Sequence, residues 1–529
     1  MSNSFEMEQL MKTYPQYQHL LFAGGYLITD KNDISLDAYP FFGTWTISTL
    51  GKWSIFNHPK HKIYLLEAKD KFFCLIGHAY NPFRMLSDDQ LILQQCAEAY
   101  NISQEHFFEY ISELTGIHLI AIFSGNSILA VQDCTGMKSC YYGKAKGSVF
   151  LTSHCQLVDD MVGLSQDAMV QHLLSSASYR RGSKYLPGDL TPFSELRRLG
   201  PNTYVSFDGV FSIKRFYPTS AHPEIKASDG QATFERIAEL MRNNLKLCAE
   251  KWQKPAISLS GGVDSRTTLA SANGLYDRFS YYSFHCKPQE LNDANTAHHI
   301  CEALGLNHAI YPIPECNADI PDFDIYKKLI SHNSAHVSTP GDHEIRKYAF
   351  LSQLKAFDVE LKSWASEIGR AFWERRYCLV FPHQLTPRHF SIFQSRYLFA
   401  PALQRWSDAA YKDYLDRSDL LSPPYNYEHS DLFYWEFRFG SWGAIVTQGQ
   451  DIFGFEVTMP LNNRKMMDMF LWFEHDFRKN DLVNKEVTSI NNKELAQMDV
   501  GTHNDYLGSK RALVERLFYY YKIPFWHWH

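Results

Sequence analysis

Hydrophobic and polar positions divide the chain into two parts with different periodicities. In the first two hundred or so residues, short apolar runs are separated by Gly, Asn and Asp turns, which is typical of an antiparallel sheet. The predicted strands are 19–28, 42–49, 62–66, 72–76, 118–123, 128–133 and 148–152. Helical spacing at 5–16 and 88–100 predicts two helices among them. We therefore predict an antiparallel β-sheet domain over residues 1–217.

The second part alternates strands with helices. Residues 218–230 are rich in Pro, Ser and Thr, a composition typical of a linker. Apolar residues then recur at helical spacing over 231–252, and strands are predicted at 279–286 and 359–364. This alternation predicts a parallel sheet covered on both faces, with a ligand at the carboxyl ends of its strands, in a domain spanning 231–529. Farther on, 431–443 is predicted to be an aromatic-rich helix that packs in the core.

Candidate chemistry is concentrated where a predicted strand meets a predicted helix, at the sequence SLSGGVDS. Its two glycines let the backbone approach a ligand and adopt dihedral angles that a Cβ disfavours. Its serines lie beside the free N–H groups of a helix start, which attract anions. Asp264 would repel a bare phosphate, so it indicates a bridging divalent cation. The predicted ATP- and pyrophosphate-binding residues are Ser258, Ser260, Gly261, Gly262, Val263, Asp264 and Ser265. The structural alternative is a glycine turn with a helix cap.

Composition excludes several classes of protein. The 529 residues are 45% hydrophobic and 21% charged, as in a soluble globular protein, and the net charge of −6 gives no basic footprint for nucleic acid. No apolar run approaches the about 20 residues of a membrane helix, and no signal peptide is visible. The 10 cysteines lack paired spacing, so we expect reduced thiols, no zinc and a cytoplasmic location.

Motifs along the chain resemble the asparagine synthetase-like family. Ser260–Ser265 is similar to the SGG-x-DS loop of N-type ATP pyrophosphatases and lacks the Gly-Lys-Ser/Thr ending of a Walker loop. Residues 75–81, 131–142 and 191–202 resemble segments of the family's glutaminase domain in order and spacing. The resemblance implies an Ntn-hydrolase-like antiparallel domain followed by an adenine nucleotide α-hydrolase-like synthetase domain. β-Lactam synthetases and lasso-peptide cyclases are relatives in this family.

The resemblance also implies a site for ATP and Mg²⁺. Glu367 matches the family acid that, with Asp264, would hold magnesium pyrophosphate. Backbone groups near Ser283 and Phe284 would face adenine. Arg370 is either a phosphate contact or a surface arginine, since guanidinium suits phosphate oxygens.

Lys522 resembles the family's transition-state lysine. Tyr520 stands where that motif has arginine, so the match rests on Lys522 and Phe525. A cation there would neutralise charge that develops during adenylation and amide formation. A solvated lysine near the terminus is the alternative.

Four further positions depart from the family pattern. Ser2 replaces the nucleophilic cysteine, although a serine exposed by loss of the first methionine could in principle act as an N-terminal nucleophile. Gly116-Ile117 replaces the Gly-Asp pair that anchors glutamine, so we expect an inactive glutaminase domain. Thr458 and Asn463 replace an arginine and an aspartate in the segment resembling E-V-R-x-P-F-L-D, which argues against aspartate as the substrate.

Three hypotheses follow for the function. The first is a glutamine-independent, AMP-forming amide ligase in a specialised biosynthetic pathway. The others are an asparagine synthase, glutamine-hydrolysing or ammonia-dependent, and a pseudoenzyme that binds nucleotide without catalysis. The expected partners are a small-molecule or peptide carboxylate and an amine, with neither nucleic acid nor membrane, and a homodimer is compatible with the sequence.

Overall fold

A computed structural model describes residues 3–31, 34, 44–181, 185–338, 340–377, 380–394, 400–498, 513, 514 and 517. The first part of the chain forms two six-stranded antiparallel sheets. Its strands are β1 (Tyr26–Thr29), β2 (Thr46–Leu50), β3 (Trp53–Asn57), β4 (Ile63–Ala68), β5 (Lys71–Tyr80), β6 (Thr115–Ser124), β7 (Ser127–Gln132), β8 (Tyr141–Ala145), β9 (Ser148–Thr152), β10 (Leu196–Arg198), β11 (Thr203–Asp208) and β12 (Val210–Arg215). The helices are α1 (Asn3–Thr13), α2 (Asp89–Ile102), α3 (Gln104–Ile111), α4 (Cys155–Val162), α5 (Ala168–Ser175) and α6 (Ala177–Arg181). The strand orders are β10-β8-β9-β1-β3-β2 and β12-β11-β7-β6-β5-β4.

The two sheets pack face to face between layers of helices. Ile28 of β1 and Ile76 of β5 belong to one apolar core between the sheets. Their neighbours Leu27 and Leu75 point the other way, into separate cores that contain residues of α4 and α2 respectively. Burial on both faces explains why these strands consist of continuous apolar runs instead of alternating with polar residues.

One strand prediction in this part is wrong at its start. The apolar run 19–28 is not a strand throughout, because Pro15–Leu20 forms a 3-10 helix and β1 begins only at Tyr26. Leu21, Phe22 and Ala23 are nonetheless buried. Their hydrophobicity therefore reflects core packing of a turn, which periodicity alone cannot distinguish from a strand.

The second part forms a five-stranded parallel sheet. Its strands are β13 (Pro255–Ser258), β14 (Ser280–His285), β15 (His308–Pro312), β16 (Val359–Leu361) and β17 (Glu456–Thr458). Helices follow as α7 (Gln231–Lys251), α8 (Val263–Ser271), α9 (Pro288–Ala303), α10 (Phe323–Asn333), α11 (Asp342–Gln353), α12 (Phe372–Tyr377), α13 (Pro387–Gln394) and α14 (Pro401–Arg417). The remainder are α15 (His429–Phe433), a π-helix (Tyr434–Gly443), α16 (Ala444–Gln450), α17 (Arg464–Leu471), α18 (His475–Lys479), α19 (Leu482–Asn491) and α20 (Lys493–Gln497).

The order of this sheet, β15-β14-β13-β16-β17, places a topological switch point between β13 and β16. Chain connections leave in opposite directions on either side of such a point, which opens a crevice at the carboxyl ends of the two strands. Ile257 packs in the core that contains α7, whereas Ala256 packs in the core that contains α10, so the sheet is covered on both faces. The predicted fold class, an antiparallel-sheet part joined to a parallel-sheet part, is confirmed.

The two parts share apolar packing. One core cluster contains Leu75 of β5, Ile237 of α7 and Leu361 of β16. The domain limits 1–217, 218–230 and 231–529 remain a prediction, although β12 ends at Arg215 and α7 begins at Gln231. Of the described helices, none combines the length and apolar character needed to cross a membrane.

Candidate active site

The predicted phosphate loop joins β13 to α8 at the switch point. Ser260 and Ser265 close the loop on itself, because their hydroxyl oxygens lie 3.0 Å apart and the Ser260 N–H donates to Ser265 Oγ at 3.2 Å. The Gly262 N–H donates to Ser260 Oγ at 3.3 Å. Helix α8 begins at Val263, so its first N–H groups point toward this loop and favour an anion there.

The glycines of the loop do not use unusual dihedral angles. Gly262 has φ −73° and ψ 158°, which any residue can adopt, and Gly261 is not among the glycines with positive φ. A Cβ at Gly262 would meet only Ser260 Oγ, at 3.4 Å. The expectation of special backbone angles is therefore wrong here, and close approach of a ligand is the remaining physical reason for glycine.

The segment after β16 brings a second acid to the loop. Residues Ser366–Arg370 form a 3-10 turn flanked by Ala365 and Ala371, whose φ angles of 85° and 45° are left-handed. Left-handed backbone at a residue with a Cβ costs about 1 kcal/mol or more, and such strain clusters at functional sites. The turn places Ser366 Oγ in a hydrogen bond to Asp264 Oδ1.

Asp264 and Glu367 face the same space. Burial, and then the negative charge of Asp264, raise the pKa of Glu367 to about 7. Glu367 Oε2 is buried and has no hydrogen-bond partner among the described residues. A buried carboxylate oxygen without a donor is destabilising, and hard oxygen ligands are those that Mg²⁺ prefers. The two carboxylates therefore fit a magnesium ion, as the resemblance implied.

Arg370 is bound to carboxylates in this structure, not to an open phosphate site. Its Nη1 donates to Asp264 Oδ2 at 2.9 Å and its Nε donates to Asp481 Oδ1 at 2.6 Å. These negative charges raise its pKa above the usual range, against the effect of burial. The surface alternative is wrong, because the guanidinium is largely buried between two acids. To contact a phosphate, Arg370 would have to release one of its two carboxylate partners, Asp264 or Asp481.

Strand β14 carries Ser283 and Phe284, the two positions whose backbone is predicted to face adenine. Ser283 Oγ donates to the Leu259 carbonyl at 2.7 Å, so this hydroxyl joins β14 to the loop strand and is buried. The predicted adenine contact is made by backbone groups near Ser283 and Phe284 and remains a prediction; of the two side chains, that of Phe284 lines the larger of two cavities, which are described next.

Two cavities share the side chains of Asp264 and Glu367 in their linings. The larger, of about 780 Å³, is lined by the loop residues Ser258, Ser260, Asp264 and Ser265 together with Phe284 and Glu367. The smaller, of about 660 Å³, is lined by Gly262, Val263, Arg266, Arg370, Arg375 and Lys485. Asp264 and Glu367 line both cavities. Such volumes are in the range of small-molecule sites.

Most residues that line the larger cavity are not among the predicted site residues, and four of them matter for its chemistry. They are Lys362, Trp364, Arg438 and Trp442. The carboxyl-end rule could have identified the first two, since they directly follow β16. The last two lie on the π-helix, in the aromatic segment that was predicted to be core; Phe433, Trp435 and Phe437 are buried as predicted. Lys522 lies outside the described residues, so its assignment remains a prediction.

In the antiparallel part, no described strand begins near the N-terminus. Helix α1 and the 3-10 helix Pro15–Leu20 precede β1, so Ser2, itself outside the described residues, is separated in sequence from the first strand. Ile117 lies within β6, paired with His78 of β5, and is 4% exposed. An apolar side chain at this position cannot bind the amino group of glutamine as an acid would.

One family model matches part of the chain. Residues 236–361 match the family model for asparagine synthase. No curated protein matches the chain significantly. Solved structures include glutamine PRPP amidotransferase from B. subtilis complexed with ADP and GMP, at 11% identity and TM-score 0.23, covering 56% of this chain and 61% of that chain. Glutamine-dependent NAD+ synthetase from Acinetobacter baumannii with ADP matches at 14% identity and TM-score 0.17, covering 36% and 40%.

The match to the first of these structures spans less than two thirds of that enzyme. The family match covers the helix α7, the phosphate loop and strands β13 to β16. Over this segment, about a quarter of its length, the chain is similar to the asparagine synthase family.

Proposed function

We propose that the protein is an ATP-dependent ligase that adenylates a carboxylate and transfers the acyl group to an amine. The supporting observation is the convergence of Asp264 and Glu367 on the phosphate loop at the switch point. A substrate carboxylate oxygen would attack the α-phosphorus of ATP as the bond to the β-phosphate oxygen breaks, releasing pyrophosphate. The amine then attacks the acyl carbon, and AMP leaves with the bonding electron pair.

Each part of the site has a task in this reaction. The free N–H groups at the start of α8 and the serines of the loop would bind phosphate oxygens. Asp264 and Glu367 would hold Mg²⁺, which when bound neutralises charge on the leaving pyrophosphate. Arg370 holds Asp264 in place until a phosphate competes for its guanidinium.

We further propose that glutamine is not the amine source. The chain before β1 is helical, and Ile117 stands where the family has the glutamine-anchoring acid. The amine would therefore come from solution or from the substrate itself. Glutamate release above background that disappears in Ser2→Ala protein would contradict this.

The alternative of an asparagine synthase has less support. Thr458 Oγ1 is hydrogen-bonded to His78 Nε2 at 3.0 Å and to Tyr80 at 3.1 Å. Asn463 caps α17 through Met466 N–H and donates to the Glu113 carbonyl at 2.7 Å. Both replacements thus join the two parts of the molecule, and neither lines the larger cavity.

The deciding experiment is ATP–pyrophosphate exchange with Mg²⁺ across a panel of carboxylic acids, with product analysis. AMP and pyrophosphate are expected with one class of acid. ADP and phosphate would contradict adenylation, exchange with L-aspartate would favour asparagine synthase, and nucleotide binding without turnover on any acid would favour a pseudoenzyme.

A further inference from the structure

Two tryptophans and two cations form one wall of the larger cavity. The rings of Trp364 and Trp442 stack with centroids 5.7 Å apart and planes inclined by 26°. Lys362 Nζ lies 3.6 Å from the ring centroid of Trp364, and the guanidinium carbon of Arg438 lies 4.7 Å from that of Trp442. All four side chains line the cavity, and we call them the tryptophan wall.

Neither cation of the tryptophan wall has an ion-pair partner in the part of the chain that the structure describes. Lys347, in the same cavity, lies 3.4 Å from Glu344, and Arg370 is paired with Asp264. Arg438 Nε is buried without a hydrogen-bond partner among the described residues. Lys362 keeps some exposure toward the cavity, yet its surroundings bury it enough to lower its pKa to about 8.

Without an ion-pair partner in contact, these cations are destabilising, because the attraction of more distant carboxylates such as Glu360 only partly compensates for the lost hydration of Lys362. Their arrangement over the indole rings recovers part of this free energy through cation–π attraction. A ligand anion would supply the rest. The position of the wall matters too, since the charge of Arg438 acts on Glu367, beside the phosphate loop.

We propose that the tryptophan wall binds the acid substrate, and that this acid carries a flat apolar body, such as an aromatic ring, next to its carboxylate. The inference rests on the ligase function proposed above. The cations match the carboxylate, and the partly exposed parts of the two indoles offer an apolar, polarisable surface that an aromatic ring can contact edge to face. Aspartate is small and has no apolar body, so it would leave the indoles without a contact.

Equilibrium binding tests this without requiring turnover. Isothermal titration would compare 3-phenylpropionate, 3-phenylpropionamide and L-aspartate as probes. We expect 3-phenylpropionate to bind at least tenfold tighter than the other two. Lys362→Met and Trp442→Leu should each weaken its binding at least tenfold.

Lys52→Met is the matched control, because Lys52 Nζ lies 4.7 Å over Trp53 in the first antiparallel sheet, outside the cavity. It should leave binding unchanged. Tighter binding of L-aspartate, or unchanged affinity in both wall variants, would overturn the proposal.

A second measurement uses the wild-type chain, in case a variant fails to fold. A diazirine derivative of 3-phenylpropionate should crosslink to peptides covering 359–377 or 434–450, and labelling confined to other peptides would contradict the wall as the subsite. Failure of the two proposals can be distinguished. Binding at the wall with no pyrophosphate exchange on any acid contradicts the ligase, whereas exchange with L-aspartate but with no aromatic acid contradicts the wall.

Discussion

At the scale of single residues, Glu367 has surroundings that oppose its charge. Burial and the nearby Asp264 raise its pKa to about 7, and no described hydrogen-bond donor reaches its Oε2. Asp264 is better compensated, because Arg370, Ser366 and Asn484 all donate to it. A bound Mg²⁺ would compensate Glu367, and two experiments follow from this difference.

The first concerns catalysis. Asp264→Asn and Glu367→Gln should each lower kcat for pyrophosphate exchange by about 100-fold or more, since each removes a charged ligand of the metal. Circular dichroism should show that the fold survives, and higher Mg²⁺ should rescue either variant only in part. Glu239→Gln, at an exposed position of α7, is the control and should be fully active. Exchange at wild-type rates in both site variants would refute the metal assignment.

The second concerns stability without ligands. An unfolded chain ionises glutamate near pH 4.5, whereas the folded chain holds this proton to about pH 7, so stability falls as pH rises through that window. Glu367→Gln should therefore be more stable than wild type at pH 8, by on the order of 2 kcal/mol. The gap should close below pH 4.5. Urea unfolding of both proteins at pH 4 and pH 8, without Mg²⁺ or ATP, measures this difference in the free energy of unfolding. Equal stabilities of wild type and Glu367→Gln at pH 8 would show that Glu367 is not destabilising.

At the scale of elements, His475 at the start of α18 connects three segments. Its Nδ1 lies 2.9 Å from Glu374 of α12, and its Nε2 lies 2.9 Å from Glu428 just before α15. The three side chains are close enough to hold a metal ion. An imidazolium that donates from both nitrogens already accounts for the cluster, because it neutralises both carboxylates.

The His475 cluster also predicts that stability falls as pH rises, but for a different reason. The folded state stabilises the charged form of His475, whereas it destabilises the charged form of Glu367. Although burial acts to lower its pKa, the hydrogen bonds that His475 donates to Glu374 and Glu428 raise it to about 10. The stabilisation is fully present below the unfolded value of 6.5 and is lost as pH rises toward 10. The free energy of unfolding of wild type should exceed that of His475→Gln by on the order of 2 kcal/mol at pH 6, allowing for partial exposure. The excess should shrink by pH 10; a constant difference would exclude the imidazolium.

At the scale of the whole molecule, polar contacts join the antiparallel-sheet part to the parallel-sheet part. Arg215 of β12 makes a bidentate ion pair with Glu436 of the π-helix, at 2.6 and 3.0 Å. Arg464, which is fully buried, donates to the Gln132, Asp133 and Pro201 carbonyls. Together with the shared apolar core, these contacts join the two parts into one packed unit.

Removing one member of the buried pair should therefore destabilise the entire chain. Glu436→Gln leaves the buried Arg215 without its counter-charge, which typically costs about 3–5 kcal/mol. Glu109→Gln is the control, because Glu109 is exposed and its ion pair with Lys465 contributes little. Differential scanning calorimetry should show one transition shifted to lower temperature. Two separated transitions in wild type would mean that the parts unfold independently.

Much of this architecture follows from local patterns, and the exceptions have physical causes. The strands 72–76 and 118–123 lie within β5 and β6, and α7 spans 231–251 as helical periodicity predicted. The phosphate loop lies between strand and helix as expected, because its glycines and serines act through local backbone geometry. The strand prediction is wrong at the start of 19–28, where an apolar turn packs in the core. The sequence does not determine whether Arg370 binds phosphate or carboxylate, because its partners are distant in the chain.

The sequence by itself determined the loop, its carboxylate and the alternation of strands and helices, since each depends on residues a few positions apart. The tertiary structure decided what surrounds that loop. Only the parallel sheet order brings Glu367 beside Asp264, and only the π-helix brings Arg438 and Trp442 to Lys362 and Trp364. Burial and charge at these positions arise from neighbours remote in the chain, and no periodicity or spacing encodes them.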